Sequence, residues 1–166
     1  MLEDLAAIAA EAGAMLKARG QKIAVVDGAT GGLISASLLA MTGASAYFLG
    51  GSVIYSMKGR RIALDHAPGS LRAFTSATEA YATEQARLIR ARLGADWGIA
   101  ETGAAGGGSA HPLGVASGTS AFAVVGPDGI VASRRIETGS NDRLANMQAF
   151  TAGALTLLRD TLADHG

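Results

Sequence analysis

The chain has 166 residues, 14 basic and 14 acidic side chains, no cysteine and an apolar fraction of 49%. That length and apolar content suit one domain with a sizeable core, spanning 1–166. Zero net charge does not point to nucleic-acid binding, which needs a basic face, although a local basic patch is compatible with it; the missing cysteines exclude disulfides, thiolate metal sites and thiol nucleophiles.

The three histidines, His66, His111 and His165, are too far apart for a metal-ligand motif, and no cofactor is expected. The first residues are acidic and periodic where a leader would be basic and then uniformly apolar. No apolar run reaches bilayer length. A cytoplasmic protein without membrane contact is the expectation.

Residues 2–19 carry Leu2, Leu5, Ile8, Ala12, Met15 and Leu16 at helical spacing, with Gly20 as a C-terminal cap. The run 22–27, KIAVVD, reads as a buried strand, and Thr30 to Met41 as a helix of small and apolar residues. A strand over 45–56 is expected to be interrupted at Gly50-Gly51. Residues 57–65 are a polar connector or short helix, and 67–70 a loop. Ser76 with Glu79 has the form of a capping box for a helix running to Leu93. Ala82, Ala86, Ile89 and Leu93 form its apolar stripe, with Tyr81 and Leu88 beside it.

A buried strand over 95–102 leads into the glycine-rich segment 103–114. Residues 115–138 read as two strands joined by the tight turn GPDG at 126–129. A long helix closes the chain near 141–163, with Leu144, Met147, Thr151, Ala154, Leu155, Leu158 and Leu162 on one face. Alternating helices and strands followed by a hairpin predict an α/β fold, a layered single domain with a mixed sheet and flanking helices.

Two glycine-rich turns follow buried strands: DGATGG at 27–32 and ETGAAGGGSAHPLG at 101–114. If their strands are parallel, both turns lie at one sheet edge, where α/β proteins bind ligands. Neither turn matches a Walker or dinucleotide fingerprint, and tight turns of no further purpose would look the same.

Taken together, four spaced segments resemble the C-terminal domain of the CinA family, known as the nicotinamide mononucleotide (NMN) deamidase. The family pattern Glu-Ser-Cys-Thr-Gly-Gly stands here as Asp27, Gly28, Ala29, Thr30, Gly31 and Gly32. Its Tyr-Ser-Asn-x-x-Lys stands as Tyr55, Ser56, Met57, Lys58, Gly59 and Arg60. Its Thr-Gly-Ile-Ala-Gly-Pro corresponds to the stretch beginning Thr102-Gly103, with HPLGVA at 111–116 after it. Its Gly-Asp-Arg before the last helix corresponds to Asn141, Asp142 and Arg143. The resemblance implies a CinA-like α/β domain that hydrolyses the carboxamide of NMN to nicotinic acid mononucleotide and ammonia. It implies a serine nucleophile and a lysine base, with Tyr55, Thr102 and Arg143 assisting or binding substrate.

Both members of that pair are replaced. Gly28 has no side chain to attack a carbonyl. The guanidinium of Arg60 stays protonated and cannot serve as a base. His111 also replaces the family's lysine beside the proline, and Gly107 the proline after Ala-Gly. Lys58 lies two positions before Arg60, a swing of ~200° on a helix. Thr30, Ser56, Thr102 and Ser109 offer hydroxyls, and His111 could act as base for Thr102 or Ser109. Thr30 either caps the next helix or faces ligand; Tyr55 either packs or binds; Arg143 is either a surface charge or a pocket residue.

The expected ligand-binding set is Thr30, Gly31, Gly32, Tyr55, Arg60, Thr102, Gly103 and Arg143. The arginines would hold the anion of a small molecule, NMN or another phosphorylated compound. The expected function is a non-catalytic or repurposed binding module. The alternatives are a divergent NMN amidohydrolase with another nucleophile, and a purely structural subunit of a homo-oligomer.

Overall fold

A computed structural model describes residues 1–67, 69, 70, 73–108, 111 and 114–166. Helix α1 (Leu2–Arg19) precedes strand β1 (Ile23–Asp27), helix α2 (Leu33–Leu39) and strand β2 (Phe48–Val53). Helices α3 (Met57–Leu64) and α4 (Glu79–Leu93) follow, then strands β3 (Trp97–Ala104), β4 (Thr119–Val125) and β5 (Val131–Glu137), and helix α5 (Arg143–Asp164). The strands form one mixed sheet in the order β2-β1-β3-β4-β5. β1 pairs parallel with both β2 and β3, while β3-β4 and β4-β5 are antiparallel. The expected mixed α/β sheet is therefore present.

Strand periodicity divides the core between two faces. Ile23, Val25, Ile99, Phe122 and Val124 pack on one face with α1, α2 and α5. The other face carries Ala24, Val26 and Ala100 against Ala86 and Ile89 of α4. Small residues let α4 lie close there: a Cβ on Gly98 would overlap the Ala86 carbonyl. Gly20 adopts the left-handed conformation and caps α1 as its position predicts.

Several boundaries differ from the sequence expectation, each for a local reason. α2 begins at Leu33 rather than Thr30, because Gly31 and Gly32 take φ of 65° and 100°. β2 is shorter than 45–56, because Ala44–Ala46 turns as a 3-10 segment. Its interruption falls one residue before the glycine pair: Ile23 pairs Phe48 and Ala24 pairs Gly50, leaving Leu49 as the extra residue. The cap of α4 is Thr78, whose hydroxyl accepts from Tyr81 N–H, so Ser76 and Glu79 form no capping box. Leu93 and Leu144 are exposed, not part of the apolar faces. Residues 57–65 resolve into the helix alternative, with Ser56 accepting from Gly59 N–H at its start.

Candidate functional site

Parallel pairing of β1 with β3 brings both glycine-rich turns to one sheet edge. Asp27 ends β1 and is fully buried. Its Oδ1 accepts from the Thr30 hydroxyl (2.6 Å) and Ile34 N–H (3.0 Å). Its Oδ2 accepts from Ser35 N–H (3.1 Å) and the Ser35 hydroxyl (2.7 Å). Four donors thus offset the burial of this carboxyl and fix the turn to the start of α2.

A second buried carboxyl, Glu101 on β3, lies beside that turn. Thr30 N–H donates to its Oε2 (3.0 Å) and the Ser120 hydroxyl on β4 to its Oε1 (2.6 Å). Burial pushes the Glu101 carboxyl up to about 7, with Asp27 adding to the rise and the two donors opposing it. Two glycines leave the room it occupies. A Cβ on Gly103 would stand 2.6 Å from Oε1, and one on Gly28 would stand 3.2 Å from Oε2. The Gly28 Cβ would also fall inside van der Waals contact of the Glu101 carbonyl oxygen. Gly28 is therefore packed as a glycine: a side chain there requires backbone movement.

Above this floor opens a cavity of about 570 Å³. Gly28, Glu101, Thr102 and Gly103 line its base. Arg60 of α3 enters from one side, with Nη2 on the Ser76 hydroxyl (3.2 Å) and its guanidinium 4.8 Å from the Tyr81 ring centre. Burial pushes the Tyr81 phenol up to about 12, so the arginine stacks on a neutral ring. Arg60 Nε is buried without a hydrogen-bond partner among the described residues, and Arg60 belongs to the cavity lining. Such an orphaned group points to a polar occupant.

The other side of the cavity comes from the segment after β3 and from α5. Arg143, the first residue of α5, donates from Nη1 to the Gly106 carbonyl (2.8 Å) and lines the cavity. Asn141 Oδ1 accepts from Gly107 N–H (3.0 Å) and the Ser117 hydroxyl (2.8 Å). Buried Asn146 donates to the carbonyls of Ala105 (2.8 Å) and Ser140 (2.9 Å). These bonds tie the glycine-rich segment to the last helix.

The cavity brings together Gly28, Tyr55, Arg60, Thr102, Gly103, His111 and Arg143 of the expected residues. Tyr55 is 83% exposed and stands at the rim. The Thr102 hydroxyl accepts from Ala77 N–H (3.2 Å), which holds the loop before α4. Thr30, Gly31 and Gly32 do not line it: Thr30 bridges Asp27 and Glu101 beneath, and the two glycines shape the turn. Lys58 is exposed and away from the cavity, as its helical offset predicts. Ser109 lies outside the described residues.

Sequence reading missed Glu101, Ser76, Gln85 and Asn146. An acid beyond the apolar run Trp97–Ala100, still within the expected buried strand, was the available signal for Glu101. No group of three His, Asp or Glu side chains among the described residues could hold a metal ion. No helix among them is long and apolar enough to cross a membrane.

Residues 5–162 match the model of the CinA C-terminal domain. The chain is 35% identical over 150 residues to a CinA-like protein of Synechococcus sp. (strain RCC307), covering 87% of this chain and 34% of the relative. It is 34% identical over 165 residues to one of Prochlorococcus marinus (strain MIT 9313), covering 98% of this chain and 37% of the relative. The chain thus spans about a third of the length of these curated relatives. Among solved structures, a CinA superfamily protein of Klebsiella pneumoniae 700603 superposes with a TM-score of 0.86 at 26% identity, covering 96% of this chain and 98% of that one. The competence damage-inducible protein A of Klebsiella pneumoniae MGH 78578 gives 0.85 at 28% identity, covering 96% and 97%. With the family model matched over residues 5–162 and relatives at 34–35% identity along most of this chain, the chain belongs to the CinA C-terminal domain family.

Proposed function

We propose that this chain binds a phosphorylated small molecule of mononucleotide size, NMN being the first candidate, and does not run serine-lysine deamidation. The observation that carries this reading is the packing at Gly28. The nucleophile is absent, and the space for its Cβ is closed by the Glu101 backbone. The partner position supports the same reading, because an arginine held on Ser76 and Tyr81 is a fixed cation and not a base. A cavity of about 570 Å³ suits such a ligand. Arg60 and Arg143 provide the groups that bind phosphate. Thr102 adds support, since its hydroxyl is engaged by Ala77 N–H.

Assembly with a second copy is part of the proposal. β2 is an edge strand, and Leu49, Val53, Tyr55, Met57 and Ile62 on and beside it are exposed. Such an edge is one that folded proteins usually cover.

The test is incubation of the purified protein with NMN, followed by chromatography for nicotinic acid mononucleotide and by calorimetry for binding. Saturable heat without product is expected. Product at an enzyme-like rate would contradict the non-covalent reading, and absence of binding would favour a structural subunit.

A further inference from the structure

We propose that Met57 is an oxidation site that governs the cavity: a peroxide converts its thioether to the sulfoxide, whose oxygen then holds the Arg60 guanidinium and weakens anion binding. The effect on binding rests on the pocket reading above; the modification and its effect on Arg60 do not.

Access and neighbourhood carry the inference together. Of the five methionines, Met15, Met41 and Met147 are half-buried. Met57, the first residue of α3, is 64% exposed and lines the cavity. Met1 is similarly exposed but does not line it. A peroxide therefore reaches Met57 ahead of the other cavity-side sulfur atoms. Arg60 lies three positions on, a neighbour on the helix surface, and donates from Nη1 to Met57 Sδ (3.3 Å). The rest of the guanidinium is fixed: Nη2 donates to the Ser76 hydroxyl and the plane lies over the Tyr81 ring. A thioether is a weak acceptor, so Nη1 stays available to an anion entering the cavity. Oxidation changes that one contact.

The step balances with the peroxide as the only co-reactant. A sulfur lone pair attacks a peroxide oxygen; the S–O bond forms and the O–O bond breaks. The transferred oxygen gives its proton to the departing hydroxide, and water leaves. Sulfur loses two electrons and the peroxide gains them. The sulfoxide is polar where the thioether was apolar. Its oxygen beside Nη1 accepts a charge-assisted hydrogen bond. An entering anion must then displace that oxygen to use the same donor. A dithiol-dependent sulfoxide reductase returns the thioether, the oxygen leaving as water and the dithiol closing to a disulfide, so the change is reversible.

The experiment treats the whole chain with hydrogen peroxide and follows oxygen addition at each methionine by peptide mass spectrometry. Met57 is expected to oxidise before Met15, Met41 and Met147. The Arg60 Nε–H resonance, assigned by its loss in Arg60→Lys, should shift in the oxidised protein and return after sulfoxide reductase and dithiol. In Met57→Leu, with folding checked by thermal melting, peroxide should leave it in place. Calorimetry with NMN should show affinity falling about tenfold on oxidation of the wild type, the scale of one hydrogen bond to a charged group. Peroxide should not change the affinity of Met57→Leu. Oxidation of Met57 no faster than of the half-buried methionines would overturn the inference. So would a sulfoxide at Met57 that leaves the resonance in place, or leaves NMN binding as tight as before; the pocket reading would survive each of these. If NMN fails to bind the untreated protein, the pocket reading falls, and the resonance alone decides whether the sulfoxide holds Arg60.

Discussion

A serine at position 28 would place its Cβ against the Glu101 carbonyl oxygen and 3.2 Å from Oε2. Restoring the family nucleophile is thus an overpacking substitution, which typically costs about 1–3 kcal/mol. Gly28→Ser should lower the midpoint of chemical unfolding and yield no NMN deamidation, alone or with Arg60→Lys. Glu101 makes a second prediction. Its folded pKa of about 7 lies above the ordinary 4.5, so the folded state holds the proton more tightly. Its contribution is fully present below pH 4.5 and is lost as pH rises towards 7, on the order of 3 kcal/mol in all. Unfolding of Glu101→Gln beside wild type should show the variant gaining relative stability from pH 5 to pH 8. Gly28 was legible as a departure from a known motif. Glu101 was not, because its significance depends on Thr30 and Ser120, which lie 71 and 19 residues away in sequence.

At the scale of elements, helices α1 and α5 were legible from their 3.6-residue apolar spacing. Their ends and the start of α4 depended on local backbone. Ala77 takes φ of 57°, which turns the chain once more before the helix and hands the cap to Thr78. Thr78→Ala should therefore cost about 1 kcal/mol in a denaturation series. Ser76 is buried but caps nothing, so Ser76→Ala should leave the α4 cap intact and cost less than Thr78→Ala. It should instead weaken ligand binding, since Ser76 holds Arg60. The opposite ranking would restore the capping box that the sequence suggests. Leu144 shows the limit of periodicity in another way: it fits the spacing of α5 yet is 67% exposed.

For the molecule as a whole, the sheet has two unlike edges. β5 presents Arg134, Arg135 and Glu137 to solvent, charges that discourage edge pairing. β2 presents Leu49 and Val53, the latter 60% exposed, and Tyr55 and Met57 continue that surface into the cavity rim. Light scattering coupled to size exclusion should give a mass above that of one chain, and Val53→Lys should shift it towards the monomer. A monomeric wild type would remove the assembly reading without touching the pocket. The parallel β1-β3 pairing that gathers both glycine turns was foreseeable as a condition on topology. The register that seats a carboxyl beneath them was not.

The most direct measurement is calorimetric injection of NMN into the wild-type protein, with the cell contents then separated by chromatography. Binding without serine chemistry predicts a saturable heat, a return to baseline after each injection, and NMN recovered unchanged. No saturable heat, or a sustained thermal power with nicotinic acid mononucleotide accumulating in the cell, would contradict it.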